Sequence, residues 1–161
     1  MIVAIDGFGA SGKTSLAARM AREFNGHVVA LDDFTRPGTT TWEHQRFIDE
    51  VLVPLRDGRD AAYRRWRFDA PAPSSPVVVP ADGLVIVEGV SALALEVVEA
   101  VGIWWDVSLW VDVDEAVRRA RIRDRDGEAL MPLWENHWWP SEQYYFETQH
   151  PQDRADFVVC T

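Results

Sequence analysis

The only lysine of the chain, Lys13, stands in the run Gly7-Phe8-Gly9-Ala10-Ser11-Gly12-Lys13-Thr14, which fits the spacing G-x-x-x-x-G-K-[ST]. Glycines there let the backbone fold tightly enough for several N–H groups to converge on one anion. A helix opening at the end of the run would aim its positive end at the same point. Lys13 would bring a full charge to the β- and γ-phosphates of a nucleoside triphosphate, and the Thr14 hydroxyl would ligate Mg²⁺. The expected nucleotide contacts are Gly7, Gly9, Ala10, Ser11, Gly12, Lys13, Thr14 and Ser15. A chance glycine-rich turn is the bland alternative. The apolar strand before the motif and the helical pattern after it weigh against that.

Such a loop says nucleotide, not phosphoryl transfer. Transfer to a hydroxyl also needs a carboxylate near the acceptor and an acid for the metal. In a parallel sheet these belong at the carboxyl ends of strands. Asp32 and Asp33 close one apolar run, and either, preferably Asp32, would orient or deprotonate the acceptor hydroxyl. Their bland reading is a turn cap. Glu88 ends Leu84-Val85-Ile86-Val87 and precedes Gly89, where an acid would hold Mg²⁺ through water together with Thr14 and Asp32. A third group is arginine: Arg118, Arg119, Arg121, Arg123 and Arg125 share one helical stretch, and a lid closing over a triphosphate needs guanidinium charge. Pairing with Glu115, Asp124, Asp126 and Glu128 on a solvated face is the alternative.

The elements that must position these groups read as an alternation. Ile2–Asp6 is a strand, a helix runs from Lys13 to about Phe24, and Val28–Leu31 is a second strand. A helix capped by Thr41 reaches about Leu55 and ends at Asp57-Gly58. Pro71, Pro73, Pro76 and Pro80 make a surface connection with at most an edge strand at Val77–Val79. Leu84–Val87 is a buried parallel strand, a helix follows near Ala92–Val101, and Val107–Val111 is a strand leading to the arginine helix from Asp114. A tryptophan-rich helix at about 134–148 and a last strand, Phe157–Cys160, close an α/β sheet with right-handed crossovers.

Length and charge bound the rest. The 161 residues suit one domain with one core, with the lid at about 114–130. A net charge of −10 excludes a general nucleic-acid surface, so any phosphate must be gripped locally. No apolar run reaches the roughly 20 residues of a membrane span. One cysteine, Cys160, excludes a disulfide framework and predicts a reducing cytoplasm; it is expected to be a buried small apolar residue. The four histidines lack the paired spacing of a zinc site.

Candidate acceptor contacts are Asp33, Trp42, Glu43, His44, Tyr63, Trp66, Arg67, Phe68 and Asp69, with rings to stack on a base and carboxylates to accept sugar hydroxyls. Core packing of the aromatic ones is the competing expectation. Trp134, Trp138 and Trp139 are expected to form a packed helix face, with a ligand box as the alternative and a homodimer interface also open.

The loop Ile5-Asp6-Gly7-Phe8-Gly9-Ala10-Ser11-Gly12-Lys13-Thr14, the strand end Leu31-Asp32-Asp33-Phe34, Val85-Ile86-Val87-Glu88-Gly89, the run Val111-Asp112 through Arg123-Asp124 and the closing Arg154-Ala155-Asp156-Phe157-Val158-Val159 resemble the uridine kinase-like group of P-loop kinases. The resemblance implies a five-stranded parallel sheet with flanking helices, ATP and Mg²⁺. It further implies Asp32 as catalytic aspartate, Thr14 and Glu88 on the metal side, and Arg119 and Arg123 as lid arginines. Leu52-x-Pro-Leu-Arg-x-Gly58 followed by Tyr63 resembles the helix and turn before the group's substrate-binding strand pair. Trp66-Arg67-Phe68 and Thr35 depart from the group's pattern on the acceptor side, which leaves the acceptor open.

The expectation is therefore an ATP-dependent kinase that phosphorylates a hydroxyl of a nucleoside or similar small metabolite. A nucleoside monophosphate kinase, using Arg46, Arg64, Arg65 and Arg67, is one alternative; a non-catalytic nucleotide sensor is another. A guanine-reading switch is disfavoured, because its base-reading motif needs a second lysine.

Overall fold

The computed structural model describes residues 1–35, 42–66, 75–100 and 105–161. Its centre is a sheet of five strands: β1 (Ile2–Gly7), β2 (His27–Ala30), β5 (Val85–Glu88), β6 (Val107–Asp112) and β7 (Phe157–Cys160). Their order is β2-β5-β1-β6-β7, and every neighbouring pair is parallel. Two short strands, β3 (Ala61–Arg64) and β4 (Pro76–Val79), form a separate antiparallel pair. This pair stands where the Gly58…Tyr63 pattern places it, and Tyr63 lies in β3.

Strand periodicity explains why the central strands read as unbroken apolar runs. Val3 and Ile5 of β1 join Ile86 and Val111 under helix α1 (Lys13–Phe24), while Ala4, Val85, Val87 and Trp110 face the opposite layer. Both sides are covered, so both registers of the alternation are apolar. The opposite layer holds α2, made of His44–Phe47, Ile48–Leu52 and Val53–Arg56; α3 (Leu95–Ala100); and α5, made of Met131–Leu133, Trp134–Trp138 and Trp139–Gln149. Between α3 and α5 in the chain lies α4 (Glu115–Asp126), capped by Asp114, whose Oδ1 accepts from the N–H of Ala116 and Val117.

Two helices contain a π-turn, at Ile48–Leu52 and Trp134–Trp138. Each precedes a proline, Pro54 and Pro140, that has no N–H for the carbonyl four residues back. Widening the turn lets the helix pass the proline without a break. The helix expected from Thr41 starts at His44; Thr41 lies outside the described residues.

Trp134 and Trp139 pack with Ile122 and Met131, joining α4 to α5 as the expected helix face. One expectation fails. Cys160 is exposed, because it lies on β7, the last strand of the sheet, where Phe157 and Val158 are exposed as well. No helix among the described residues is long and apolar enough to cross a membrane.

Candidate functional site

The carboxyl ends of β1, β2 and β5 bring the sequence-predicted groups to one end of the sheet. Gly7 ends β1 at φ +145°, and a Cβ there would press into the Val111 carbonyl of β6. Only glycine allows that approach. Gly12 turns into α1 at φ +104°, and Ala10 takes φ 60°, a left-handed conformation for a residue with a side chain. That strain is tolerated because the turn is held on both sides: Ser11 N–H donates to the Phe8 carbonyl, and Leu16 N–H to that of Gly12. The amides of Gly12, Lys13 and Thr14 have no partner among the described residues, as the first turn of a helix requires. Together they form a concave cluster of donors at a positive helix end.

Lys13 lies within that cluster, only 6% exposed, with Nζ donating to the Phe8 carbonyl at 2.8 Å. Burial pushes its ammonium down from the ordinary lysine value, and the carboxylates of Asp6, Glu88, Glu142 and Asp32, in that order, pull it back up. Thr14 Oγ1 donates to Glu88 Oε1 at 3.1 Å. Glu88 is held above the ordinary glutamate value, first by burial and against the opposing charge of Lys13. Ser15, the next residue of α1, is exposed. A hydroxyl with one or two carboxylates, the rest supplied by water and phosphate, is the donor set that suits Mg²⁺, and Thr14, Glu88 and Asp32 fit it.

The two aspartates after β2 occupy a single turn of 3₁₀ helix, Leu31–Phe34, and the turn separates them. Asp33 faces the hairpin: Tyr63 Oη donates to its Oδ2 at 3.1 Å, and Arg65 Nε lies 3.0 Å from the same oxygen. Burial raises its carboxyl, and Arg65 opposes the rise. The Tyr63 hydroxyl is pushed up to about 12, by burial and then by the Asp33 charge, so it stays a donor. Asp32 is exposed, has no hydrogen-bond partner among the described side chains, and its charge acts on Lys13, Glu88 and Arg125.

The acceptor candidates divide. Tyr63 is a core residue, packed at 4.7 Å between ring centroids on Phe34, with only its hydroxyl engaged at Asp33. Trp42 packs edge-on against Tyr145, and Trp66 is half-buried with its backbone N–H donating to the Asp33 backbone carbonyl. His44 is buried between Ser91 Oγ and Glu96 Oε1, both at 2.7 Å, and ties α2 to the turn after β5. Arg67, Phe68 and Asp69 lie outside the described residues.

The arginines of α4 fall on three faces. Arg118 and Ile122 point inward. Arg121 lies over the loop, with Nη1 3.3 Å from the Ala10 carbonyl and 3.4 Å from that of Ser11. Arg125, one turn further, feels the charges of Asp32 and Glu142 and is paired with Asp126. Arg119 and Arg123 occupy the other flank. Arg119 stacks at 4.1 Å on Trp139, pairs with Glu115 and lines a cleft of about 330 Å³ with Phe8 and Gln143; Arg123 pairs with Glu128.

Three residues at the loop have no signal in the local motif. Asp6 is fully buried, accepting from the N–H of Gly7, Ser91 and Leu93 and, at 2.6 Å, from Tyr145 Oη. Glu142 accepts from Gly9 N–H at 3.0 Å and from Arg118 Nη1 at 2.6 Å. Only the acidic residue before Gly7 and the spacing of Glu142 and Tyr145 on one helix face hint at this in the sequence.

No protein-family model matches the chain, and no curated protein matches it in sequence. Solved structures do. A protein described as a possible uridine kinase from Bacillus stearothermophilus is 19% identical, with a TM-score of 0.73 over 99% of this chain and 88% of that one. A protein described as a putative fructose transport system kinase from a Silicibacter species is 20% identical, with a TM-score of 0.66 over 98% and 88%. The shikimate kinase of Aquifex aeolicus is 18% identical, with a TM-score of 0.51 over 99% and 85%. The chain has the fold of the uridine kinase-like P-loop kinases, a five-stranded parallel sheet flanked by helices.

Proposed function

We propose that the chain is an ATP-dependent kinase that phosphorylates a hydroxyl of a small metabolite of the nucleoside or sugar-like class. The observation that carries the reading is the buried Lys13 ammonium, set among free loop amides and facing the Thr14–Glu88 pair, with the Asp32 carboxylate open beside it. The structural neighbours support the class, since they are described as a possible uridine kinase, a putative fructose transport system kinase and a shikimate kinase. None of them carries an acceptor to this chain.

The roles follow from position. The amides of Gly12, Lys13 and Thr14 and the Lys13 ammonium hold the phosphate chain in line with the acceptor. Thr14 and Glu88, with Asp32, would hold Mg²⁺, whose charge draws electron density from the transferred phosphoryl group. Asp32 orients the acceptor hydroxyl and takes its proton as the acceptor oxygen bonds to the γ-phosphorus and the bond from that phosphorus to the β,γ-bridging oxygen breaks, releasing ADP. Arg121 lies over the Ala10 and Ser11 carbonyls and Arg125 feels the Asp32 charge, so these two are given the lid role that the sequence resemblance gives to Arg119 and Arg123.

A phosphate acceptor has less support. Arg46 is held by Glu50 at 2.9 Å through both nitrogens of a fork, and Arg65 is paired with Asp33. Guanidiniums already spent on carboxylates bind a further phosphate poorly. The test is ADP release across nucleosides, sugars, pantothenate-like and glycerate-like alcohols, with nucleoside monophosphates as the opposing set. Turnover confined to monophosphates would replace the hydroxyl reading. MgATP binding without ADP formation from any of them would favour a sensor.

A further inference from the structure

Helix α5 grips the start of the phosphate loop at two points. Tyr145 Oη donates to Asp6, the last side chain before the loop, and Glu142 Oε1 accepts from Gly9 N–H within it. The two helix residues are three apart and share one face. The contact at Gly9 is tight: a Cβ there would come to 2.7 Å from Glu142 Oε1 and 2.8 Å from the Trp134 ring. The loop's glycine is thus shaped to receive this helix, while the amides of Gly12, Lys13 and Thr14 are left open for an anion.

The second oxygen of Glu142 reaches a third element. Arg118, in the first turn of α4, gives Nη1 to Glu142 Oε2 at 2.6 Å and lies 4.6 Å over the Phe8 ring. Glu142 is 3% exposed and Arg118 is 7% exposed. A buried ion pair is costly to desolvate, so stability alone is a weak reason for it; fixing one arrangement among several is a better one. Arg121 and Arg125 follow Arg118 on the same helix, and Arg121 lies against the Ala10 and Ser11 carbonyls. Whatever holds Arg118 therefore sets where those two guanidiniums stand relative to the loop.

We infer that Glu142 is a positioning residue for phosphoryl transfer: through Gly9 N–H and Arg118 it locks the loop and the arginine helix α4 into one register. This rests on the kinase reading above. Glu142 engages Gly9 N–H but leaves the amides of Gly12, Lys13 and Thr14 open, so its effect belongs on the transfer step more than on nucleotide binding. A 1 Å misplacement of catalytic groups is enough to cost on the order of 10²-fold in rate.

The test uses the full chain and four variants. Glu142→Gln keeps an oxygen for Gly9 N–H but discharges the pair. Because that leaves Arg118 buried without its counter-charge, the double variant Glu142→Gln/Arg118→Met removes both charges and keeps the protein foldable. Glu142→Asp retracts the carboxylate by one methylene. Glu147→Gln, on the exposed side of α5, is the control. Folding is followed by near-ultraviolet circular dichroism, MgADP and MgATP affinity by calorimetry, and kcat and KM by ADP release with the acceptor found in the screen or with water.

For the folded Glu142 variants, MgADP affinity is expected within about threefold of wild type while kcat falls on the order of 10- to 100-fold. The double variant is expected to regain wild-type melting without regaining kcat. Wild-type-like kcat in folded Glu142→Gln and in the double variant would overturn the inference. So would tighter MgATP binding by either, which would make the carboxylate a competitor of the triphosphate at Gly9. If the wild type itself binds no MgATP, the kinase reading falls and takes this inference with it; binding by the wild type with unchanged variants removes the inference alone.

Discussion

The Thr14 hydroxyl donates to Glu88 Oε1 across 3.1 Å, joining the first turn of α1 to the end of β5. A hydroxyl and a carboxylate that meet across two elements are placed to share one cation. Glu88 is buried and its carboxyl is raised, so protonation reaches it above the ordinary glutamate value of 4.5. Protonated Glu88 cannot steady Mg²⁺. The kcat/KM for ATP is expected to fall as pH drops toward that raised value, and added Mg²⁺ is expected to move the fall to lower pH, since metal and proton compete. Rate profiles from about pH 5 to 8 at two Mg²⁺ concentrations measure this. An acid limb that ignores Mg²⁺ would place the ionisation elsewhere.

Asp32 and Asp33 are adjacent but not equivalent. Asp32→Asn is expected to leave ATP binding nearly intact and lower turnover by on the order of 10²–10⁴. Asp33→Asn discharges the carboxylate shared by Tyr63 and Arg65, so it is expected to cost about 1 kcal/mol of stability and to affect turnover less. Calorimetry, a urea melt and ADP release on both proteins separate the two roles. The reverse pattern would make Asp33 the base.

Arg121→Ala is expected to weaken MgATP binding about tenfold, the worth of one charged hydrogen bond in a half-exposed setting. Arg123→Ala, which loses only the surface pair with Glu128, is expected to stay within about twofold of wild type. Isothermal titration with MgATP checks both. Equal losses would mean that α4 presents its other flank to the nucleotide.

The loop glycines differ in why they are glycine. Gly12→Ala meets nothing closer than 3.9 Å and suffers only its left-handed backbone, a cost of about 1 kcal/mol. Gly7→Ala meets both a positive φ and the Val111 carbonyl, and is expected to cost roughly 3 kcal/mol or more. Denaturant midpoints of the two variants give the comparison. Near-equal midpoints would mean that β6 gives way.

Tyr145→Phe removes the hydroxyl that donates to fully buried Asp6, at an expected cost of about 1–3 kcal/mol. Burial raises the Asp6 carboxyl, and the Tyr145 hydrogen bond is the strongest opposing influence. Without it the carboxyl rises further, and stability is lost as pH rises from the unfolded value of 3.8 toward the folded one. The stability gap between Tyr145→Phe and wild type is therefore expected to widen with pH. Melting temperatures taken across that range test the sign; a gap that narrows would contradict it.

The sequence by itself determined the loop, the alternation of strands and helices, and the placing of Asp32, Glu88 and Lys13, because each is written in a contiguous stretch. An apolar strand ends in an acid, and parallel strands carry their ends to one rim of the sheet. The strand pair β3–β4 came only through the resemblance of the Leu52…Gly58…Tyr63 pattern, because the prolines by themselves read as a surface connection with at most an edge strand. What the tertiary structure decided is long-range or rotational. Glu142 reaches Gly9 across 133 positions and Tyr145 reaches Asp6 across 139, and no local pattern encodes such pairs. The arginines of α4 show the rotational case. At about 100° per residue, burying Arg118 and Ile122 puts Arg121 and Arg125 on one flank and Arg119 and Arg123 on the other. Which flank meets the loop depends on how α4 is turned about its own axis, and that turn is fixed by contacts with α5 that lie outside the helix's own sequence.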